Sequence, residues 1–144
     1  MIAPLLFISC NKDDDTPDNN NNNTLVSQNL YSVIDISNSP VRTYSSMFGN
    51  SITSFQVLNG NFQYTTDTFT LNWISGEIMS IVMSLATADQ IIGCADVEIR
   101  TYNNNNLVNT ENFQIGHSQL SPPIFCDNLV AGNSFSKTLQ IVAD

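Results

Sequence analysis

The sequence predicts an all-β protein whose body is an antiparallel β-sandwich behind a disordered N-terminal tether. Three observations support this prediction. Asn, Ser and Thr supply 20, 16 and 12 of the 144 residues, and these side chains favour turns and strand faces over helix interiors. Apolar and polar residues alternate with period two in many short segments. Hydrophobic residues make up 42% of the chain, which is enough to fill a core.

The chain has few charged residues, and most of them are acidic. Charged residues are 12% of the sequence, about half the usual share of roughly 25%. The net charge is −9, the sequence pI is about 4.1, and the basic residues are Lys12, Arg42, Arg100 and Lys137. A nucleic-acid surface needs clustered Lys and Arg to contact phosphates. We therefore do not expect nucleic acid as a partner.

Residues 1–9, MIAPLLFIS, form a short apolar segment that ends in a small residue directly before Cys10. A membrane-spanning helix needs about 20 apolar residues, whereas the apolar part of a secretory signal has about 7–15. The segment is therefore predicted to be a signal peptide. It lacks the usual charged start, so we expect either a start codon upstream of Met1, which we favour, or an unusually short signal.

The segment LLFISCNKDDD resembles the lipobox and export signal of bacterial lipoproteins, specifically the surface lipoproteins of the Bacteroidota. The resemblance implies that Cys10 becomes the first residue of the mature protein and carries diacylglycerol and palmitate chains. It departs from the family pattern at Phe7, where Leu is commoner. The implied signal for export to the outer face of the outer membrane consists of Lys12, Asp13, Asp14 and Asp15. The expected location is the outer membrane, lipid-anchored and facing the cell exterior.

Residues 10–24 are predicted to be a flexible tether between the lipid and the body, because the stretch after Cys10 has no apolar side chain to bury. Fourteen such residues would hold the body roughly 20 Å from the lipid on average. Calcium binding by the aspartates of this stretch is the alternative. The glycine turn and distal Glu of a calcium loop are missing, so we expect neither a metal nor a cofactor.

Residues 25–144 are predicted to be the sandwich domain, and its clearest strand is DVEIRTY. Val97 and Ile99 point to one side of this strand, while Asp96, Glu98 and Arg100 point to the other. The turn formers at 103–106 predict a four-residue loop that leads into a second hairpin strand. In chain order the strand candidates are 30–36, 41–47, 52–58, 62–66, 68–73, 96–102, 107–115 and 135–141. Asn59-Gly60 is the strongest signal for a tight hairpin turn.

The stretch from Gly76 to Gln90 is ambiguous. Ile78, Ile81, Val82 and Leu85 fall at helical spacing, but alternate residues of the same stretch also define one face of a strand. The neighbouring strands favour a strand here. Seven to nine short strands spaced about ten residues apart predict an antiparallel sandwich of the immunoglobulin-like or jelly-roll-like kind.

The three cysteines divide into one lipidated residue and one pair. With Cys10 assigned to lipid, Cys94 and Cys126 remain, and an exported protein meets an oxidising compartment where such a pair normally closes. We therefore predict a disulfide between Cys94 and Cys126. Two buried free thiols are the alternative, and a zinc site would lack ligands.

Catalytic motifs are scarce, and we do not expect an enzyme. His117 is the single histidine, so any catalytic site that uses a histidine would have to use this residue. The sequence also has no GxSxG motif, which would expose a serine nucleophile. Glu98 shares a strand face with Asp96, a setting that indicates solubility rather than glycoside hydrolysis. A small secreted hydrolase that uses Glu98 or His117 remains the less favoured hypothesis.

A non-catalytic binding or accessory role without a defined ligand is the favoured function. Sugar-binding sandwiches present exposed aromatic rings beside Asn and Asp side chains, and Tyr102 is predicted to be exposed beside the asparagine run. Tyr102, Asn103 and Asn104 are therefore the candidate ligand residues, whereas Trp73 is predicted to lie in the core. The expected function is a non-catalytic binding or accessory module, with a carbohydrate-binding module as the alternative. The expected partners are the membrane through Cys10 and a polysaccharide or another outer-membrane protein.

Overall fold

Nine strands in two antiparallel sheets make up most of residues 24–87, 93–117 and 134–144, which are the residues that the computed structural model describes. In chain order they are β1 (Leu25–Ser39), β2 (Arg42–Phe48), β3 (Ser51–Val57), β4 (Gly60–Thr65), β5 (Phe69–Ile74), β6 (Ile78–Thr87), β7 (Gly93–Asn103), β8 (Asn106–His117) and β9 (Ser134–Val142). The two sheets pack against each other over one apolar core. The predicted all-β antiparallel sandwich is confirmed.

Sheet A is organised around the long strand β1. One edge of β1 pairs with β7, which pairs in turn with β8. The other edge is shared, because β5 pairs with the first part of β1 and β4 pairs with the part from Val33 onward. Sheet B has the order β3-β2-β6-β9.

The core lies between the inner faces of the two sheets and follows from the alternation of side chains along each strand. In β6, every second residue from Met79 to Leu85 is buried, which confirms a strand over Ile78–Thr87 and excludes the helical alternative there. The rest of the ambiguous stretch, from residue 88 to residue 90, lies outside the described residues. The largest apolar side chains that are fully buried are Leu30, Ile34, Ile36, Tyr44, Phe48, Met79, Met83, Leu85, Ile99 and Ile115.

The chain bends at Asn59, but Gly60 is already the first residue of β4, and the expected hairpin is wrong. The bend joins β3 of sheet B to β4 of sheet A, so the two strands that flank it do not pair with each other. Gly60 has a φ of 84°, which glycine adopts without the cost that a Cβ would bring. The tight hairpin of this region is instead β2–β3, where Phe48 pairs with Ser51.

The β7–β8 hairpin is confirmed, but its loop is shorter than predicted. Asn103 pairs with Asn106, so the loop contains only Asn104 and Asn105. Their φ angles of 47° and 66° are those of a type I′ turn, in which both central residues need a positive φ. Asparagine tolerates this conformation better than other non-glycine residues.

The placement of Trp73 in the core is wrong. Its side chain points to the inner side of sheet A, as predicted, but 37% of the residue is exposed. Trp73 lies near the end of β5, opposite Val26. At that end sheet B is only two strands wide, β6 and β9, because β2 stops where Phe48 pairs with Met83. Too little of sheet B is present there to cover the indole.

Candidate binding face

The outer face of sheet A gathers polar side chains from distant parts of the chain. Asp96, Glu98 and Arg100 alternate with buried residues along β7 and point outward, as predicted. Pairing with β1 places Asp35 opposite Glu98, and pairing with β8 places Gln114 opposite Asp96. These side chains line a shallow groove of about 650 Å³ that we call the polar groove.

Arg100 is the centre of an ion-pair network in the polar groove. Its guanidinium contacts the carboxylate of Asp35 and, through Nε, lies 2.9 Å from Oε1 of Glu98. Gln63 on β4 donates from Nε2 to Oδ1 of Asp35 at 2.5 Å. The hydrogen bond with Asp35 raises the pKa of Arg100 above its already high value, so the groove keeps one positive charge among carboxylates.

Asp96 is held in a fixed position at the other end of the groove. Its two carboxylate oxygens accept hydrogen bonds at 2.6 Å, one from Nε2 of Gln114 and one from Nδ2 of Asn38. Both bonds stabilise the ionised form and lower the pKa of Asp96 below its ordinary value of 3.8. The bond from Gln114 has the larger effect and the bond from Asn38 the smaller one. Asp96 is therefore a carboxylate at neutral pH.

A stacked pair of tyrosines lies on the same outer face. Tyr31 on β1 pairs with Tyr102 on β7, and their ring centroids are 5.0 Å apart with an angle of 10° between the planes. Both residues are half-buried. The hydroxyl of Tyr31 donates to Oδ1 of Asn105 at 3.4 Å. Stacking gives both rings a defined orientation beside the exposed tip of the β7–β8 hairpin.

The three residues predicted to bind a ligand lie in three different environments. Tyr102 lies on the outer face. Asn104 is half-buried and ties the hairpin tip to β1, because its Oδ1 accepts from both N and Nδ2 of Asn29 at 3.1 Å. Asn103 is fully buried on the inner side, where its Nδ2 donates to Oε1 of Gln28 at 2.5 Å. Asn103 therefore contributes to the interior rather than to a surface that a ligand could reach.

Asp35, Asn105 and Gln114 belong to the outer face and were not among the residues predicted from the sequence. The period-two pattern could have placed Tyr31 and Asp35 on one side of their strand. It could not have shown that β7 lies beside them, because the partners are about 65 residues apart in the chain.

Several predicted site residues lie outside the described residues. They are Cys10, Lys12, Asp13, Asp14, Asp15 and Cys126. Cys94 lies near the start of β7, opposite Gly116, and its pairing with Cys126 stays a prediction. His117 ends β8 opposite Gly93.

In the part of the chain that the structure describes, no three His, Cys, Asp or Glu side chains are grouped so that they could hold a metal ion. The described residues also include no helix that is long and apolar enough to cross a membrane. Comparison of the chain with protein-family models, curated proteins and solved structures finds no match.

Proposed function

We propose that this protein is a lipid-anchored lipoprotein on the outer face of the outer membrane, and that its sandwich is a non-catalytic binding or accessory module. The resemblance of LLFISCNKDDD to a lipobox with an export signal supports the anchor at Cys10. The start of β1 at Leu25, directly after the predicted tether, is consistent with this arrangement.

One observation supports the binding role above the others: the polar groove and the tyrosine pair lie on one face of sheet A and are held there by hydrogen bonds and stacking. Asp35, Asp96 and Arg100 all have defined partners within the groove. A polar surface whose side chains are already ordered loses little conformational entropy when a ligand binds. Such preorganisation favours recognition of a polar ligand.

The state of the carboxylates favours binding over hydrolysis. A general acid needs a raised pKa, as a carboxyl group has in an apolar pocket. The hydrogen bonds of Asp96 lower its pKa instead, and the carboxylates of Asp35 and Glu98 both contact Arg100. A carboxylate whose hydrogen bonds favour the ionised form, as those of Asp96 do, suits hydrogen bonding to a ligand better than proton donation.

Carbohydrate binding is the second candidate function, and the tyrosine pair favours it. Aromatic rings supply a rigid apolar surface for sugar rings, while Asn105 and the groove side chains offer donors and acceptors for hydroxyl groups. Both groups lie on the same outer face. In this version of the proposal, the partner is a polysaccharide at the cell surface rather than another outer-membrane protein.

Labelling with fatty acid in a Gram-negative host tests the anchor. The intact chain should incorporate the label, and Cys10→Ala should not; equal labelling of the two would exclude lipidation at this residue. Replacement of Asp13, Asp14 and Asp15 by Ala should keep the label but protect the body from protease added to intact cells. Unchanged cleavage would contradict the export signal.

Titration calorimetry with soluble polysaccharides, one neutral glucan and one acidic glycan, tests the second candidate. A polysaccharide that binds the chain should bind Tyr102→Ala at least about fivefold more weakly, since stacking on a ring contributes on the order of 1 kcal/mol or more. Ser54→Ala, on the exposed side of β3 in sheet B, should bind like the wild type. Release of reducing ends that is lost in Glu98→Gln would show a hydrolase and overturn the non-catalytic role.

A further inference from the structure

The outer face of sheet B, which we call the uncharged face, is built from alternate residues of four neighbouring strands. These are every second residue of Thr43–Met47 in β2, Ile52–Gln56 in β3, Ile78–Ala86 in β6 and Ser134–Val142 in β9. Among these described residues, none is Asp, Glu, Lys or Arg. Most are Ser, Thr or Gln, and the others are aliphatic or methionine.

The nearest charges of the described chain lie at the margin of the uncharged face or point away from it. Lys137 of β9 pairs with the buried Met83, so it lies on the other side of its strand, and it contacts Glu111 of sheet A. Glu77 lies in the turn before β6. The carboxylates of the polar groove belong to the opposite surface of the sandwich. Charge is therefore segregated between the two outer faces.

Exposed apolar side chains are contiguous on the uncharged face. Ile78 and Val142 pair with each other and are 59% and 58% exposed. Val82, 37% exposed, lies on the same side of β6 and diagonally beside Met47, because Met47 pairs with Ser84. Met47 in turn pairs with Ile52, which is 69% exposed. Exposed apolar area together with depletion of charge is the composition that marks interfaces between identical subunits.

The charge of the chain indicates which partner fits this face. With a net charge of −9, two copies repel each other at long range. Contact through the outer face of sheet A would set the carboxylates of the polar groove against those of a second copy. In a two-fold dimer both subunits present the same patch, so contact through the uncharged face brings no like charges together. A basic partner would instead be attracted to sheet A.

The size of the uncharged face suits a reversible dimer. Its strands lie about 4.8 Å apart and rise about 3.3 Å per residue, so four strands of seven to ten residues give a face of roughly 500 Å² in projection. Side-chain relief makes the accessible area larger, and a stable interface buries about 800 Å² on each partner. We therefore expect a Kd on the order of 10 µM rather than a permanent dimer.

We propose that two copies of the chain associate through the uncharged face, with sheet B of one copy packed on sheet B of the other. Stacked sheets lie about 10 Å apart, which shields Ile52, Ile78, Val82 and Val142 from water. The polar groove of each copy then faces outward, on opposite sides of the dimer. This inference needs neither lipid at Cys10 nor a ligand in the groove.

Sedimentation velocity of the full chain with Cys10→Ala tests the dimer, because that chain can neither carry lipid nor cross-link through this cysteine. Between about 1 and 200 µM, the mass should rise from 15.9 kDa towards twice that value. Val82→Glu and Ser45→Glu each place a carboxylate on the uncharged face and should weaken association at least tenfold. Asn72→Glu adds the same charge on the exposed side of β5 in sheet A and should dimerise like the parent.

Circular dichroism of each variant shows whether it keeps the β-fold of the parent, and two variants at the face are used so that one misfolded variant does not decide the result. Added salt should not weaken the dimer, since no ion pair crosses it. A parent chain that stays monomeric at the highest concentration would overturn the proposal. Dimers that persist in folded Val82→Glu or Ser45→Glu, or that are lost equally in Asn72→Glu, would exclude the uncharged face as the interface. None of these outcomes bears on the anchor or on the binding role.

Discussion

Asparagine fills two structural roles within the run 103–106. Asn103 is fully buried and bonds to Gln28 inside the sandwich, whereas Asn104 and Asn105 form the turn because they tolerate a positive φ. Sequence alone assigns all four residues to a loop, since asparagine favours turns. Tertiary pairing with Gln28, 75 residues away, decides the position of Asn103.

Removal of the Asn103 side chain should destabilise the protein. Asn103→Ala removes the donor to Oε1 of Gln28. The buried amide of Gln28 then lacks one hydrogen bond, which should lower the free energy of unfolding by about 1–3 kcal/mol. Urea unfolding followed by circular dichroism measures this loss. Asn112→Ala, on the exposed side of β8, should stay within about 0.5 kcal/mol of wild type. Equal stability of the two variants would contradict the structural role of Asn103.

The hydrogen bonds of Asp96 should make stability depend on pH in the acid range. Because its folded pKa lies below the ordinary value of 3.8, the carboxylate contributes stability above that value and loses it as pH falls through the lower, folded pKa. Asp96→Asn should therefore melt below wild type at pH 7, and the difference should shrink from about pH 4 downward. Thermal melts between pH 7 and pH 2 test this prediction. A difference in melting temperature that grows as the pH falls would contradict it.

At the scale of elements, the type I′ turn of the β7–β8 hairpin should respond oppositely to glycine and valine. Asn105 has a φ of 66°, so Asn105→Gly should be neutral or stabilising, while Asn105→Val should cost about 1–2 kcal/mol. The side chain is exposed, so loss of packing contributes little. Melting temperatures of both variants provide the measurement. A valine variant as stable as the glycine variant would argue against a positive φ in solution.

Strands and their faces could be predicted from the sequence, but their partners could not. Alternation along β7 correctly assigned Val97 and Ile99 to the core, because the side-chain period of a strand is fixed at two. Pairing depends on contacts between residues far apart in the chain, such as Asp35 with Glu98. Because the sequence does not show which strands pair, it predicted a hairpin at Asn59-Gly60, whereas the chain there passes from a strand of one sheet to a strand of the other.

The candidate site was predicted only in part for the same reason. Tyr102 and the outward face of β7 follow from local alternation, whereas the polar groove exists because β1, β4 and β8 bring Asp35, Gln63 and Gln114 to that face. Exposure of Trp73 depends on where β2 ends in the opposite sheet, which alternation within β5 does not encode.

At the scale of the whole molecule, a buried side chain joins the two sheets near the end of the sandwich where β1 ends and β2 begins. The fully buried Arg42 of sheet B reaches sheet A there, and its Nη2 donates to the carbonyl of Gly93 at 3.3 Å. Along one edge, Lys137 of β9 pairs with Glu111 of β8. Cys94 follows Gly93 directly, so the predicted disulfide would close at the end where Arg42 links the sheets.

That disulfide supplies the last prediction. In a chain that carries Cys10→Ala, the remaining cysteines are Cys94 and Cys126, and a bond between them closes a loop of 33 residues. Closure restricts the unfolded chain and should stabilise the fold by roughly 3–4 kcal/mol. Reduction should then lower the melting temperature by on the order of 10 °C.

The matched control is the same chain with Cys94→Ala and Cys126→Ala, whose melting should not respond to reductant. The unfolded, non-reduced parent should show no reaction with a thiol reagent, because both sulfurs are bonded to each other. Two reactive thiols in that sample would exclude the disulfide. The stability of the body would then depend on the core and on the link through Arg42 without help from a covalent bond.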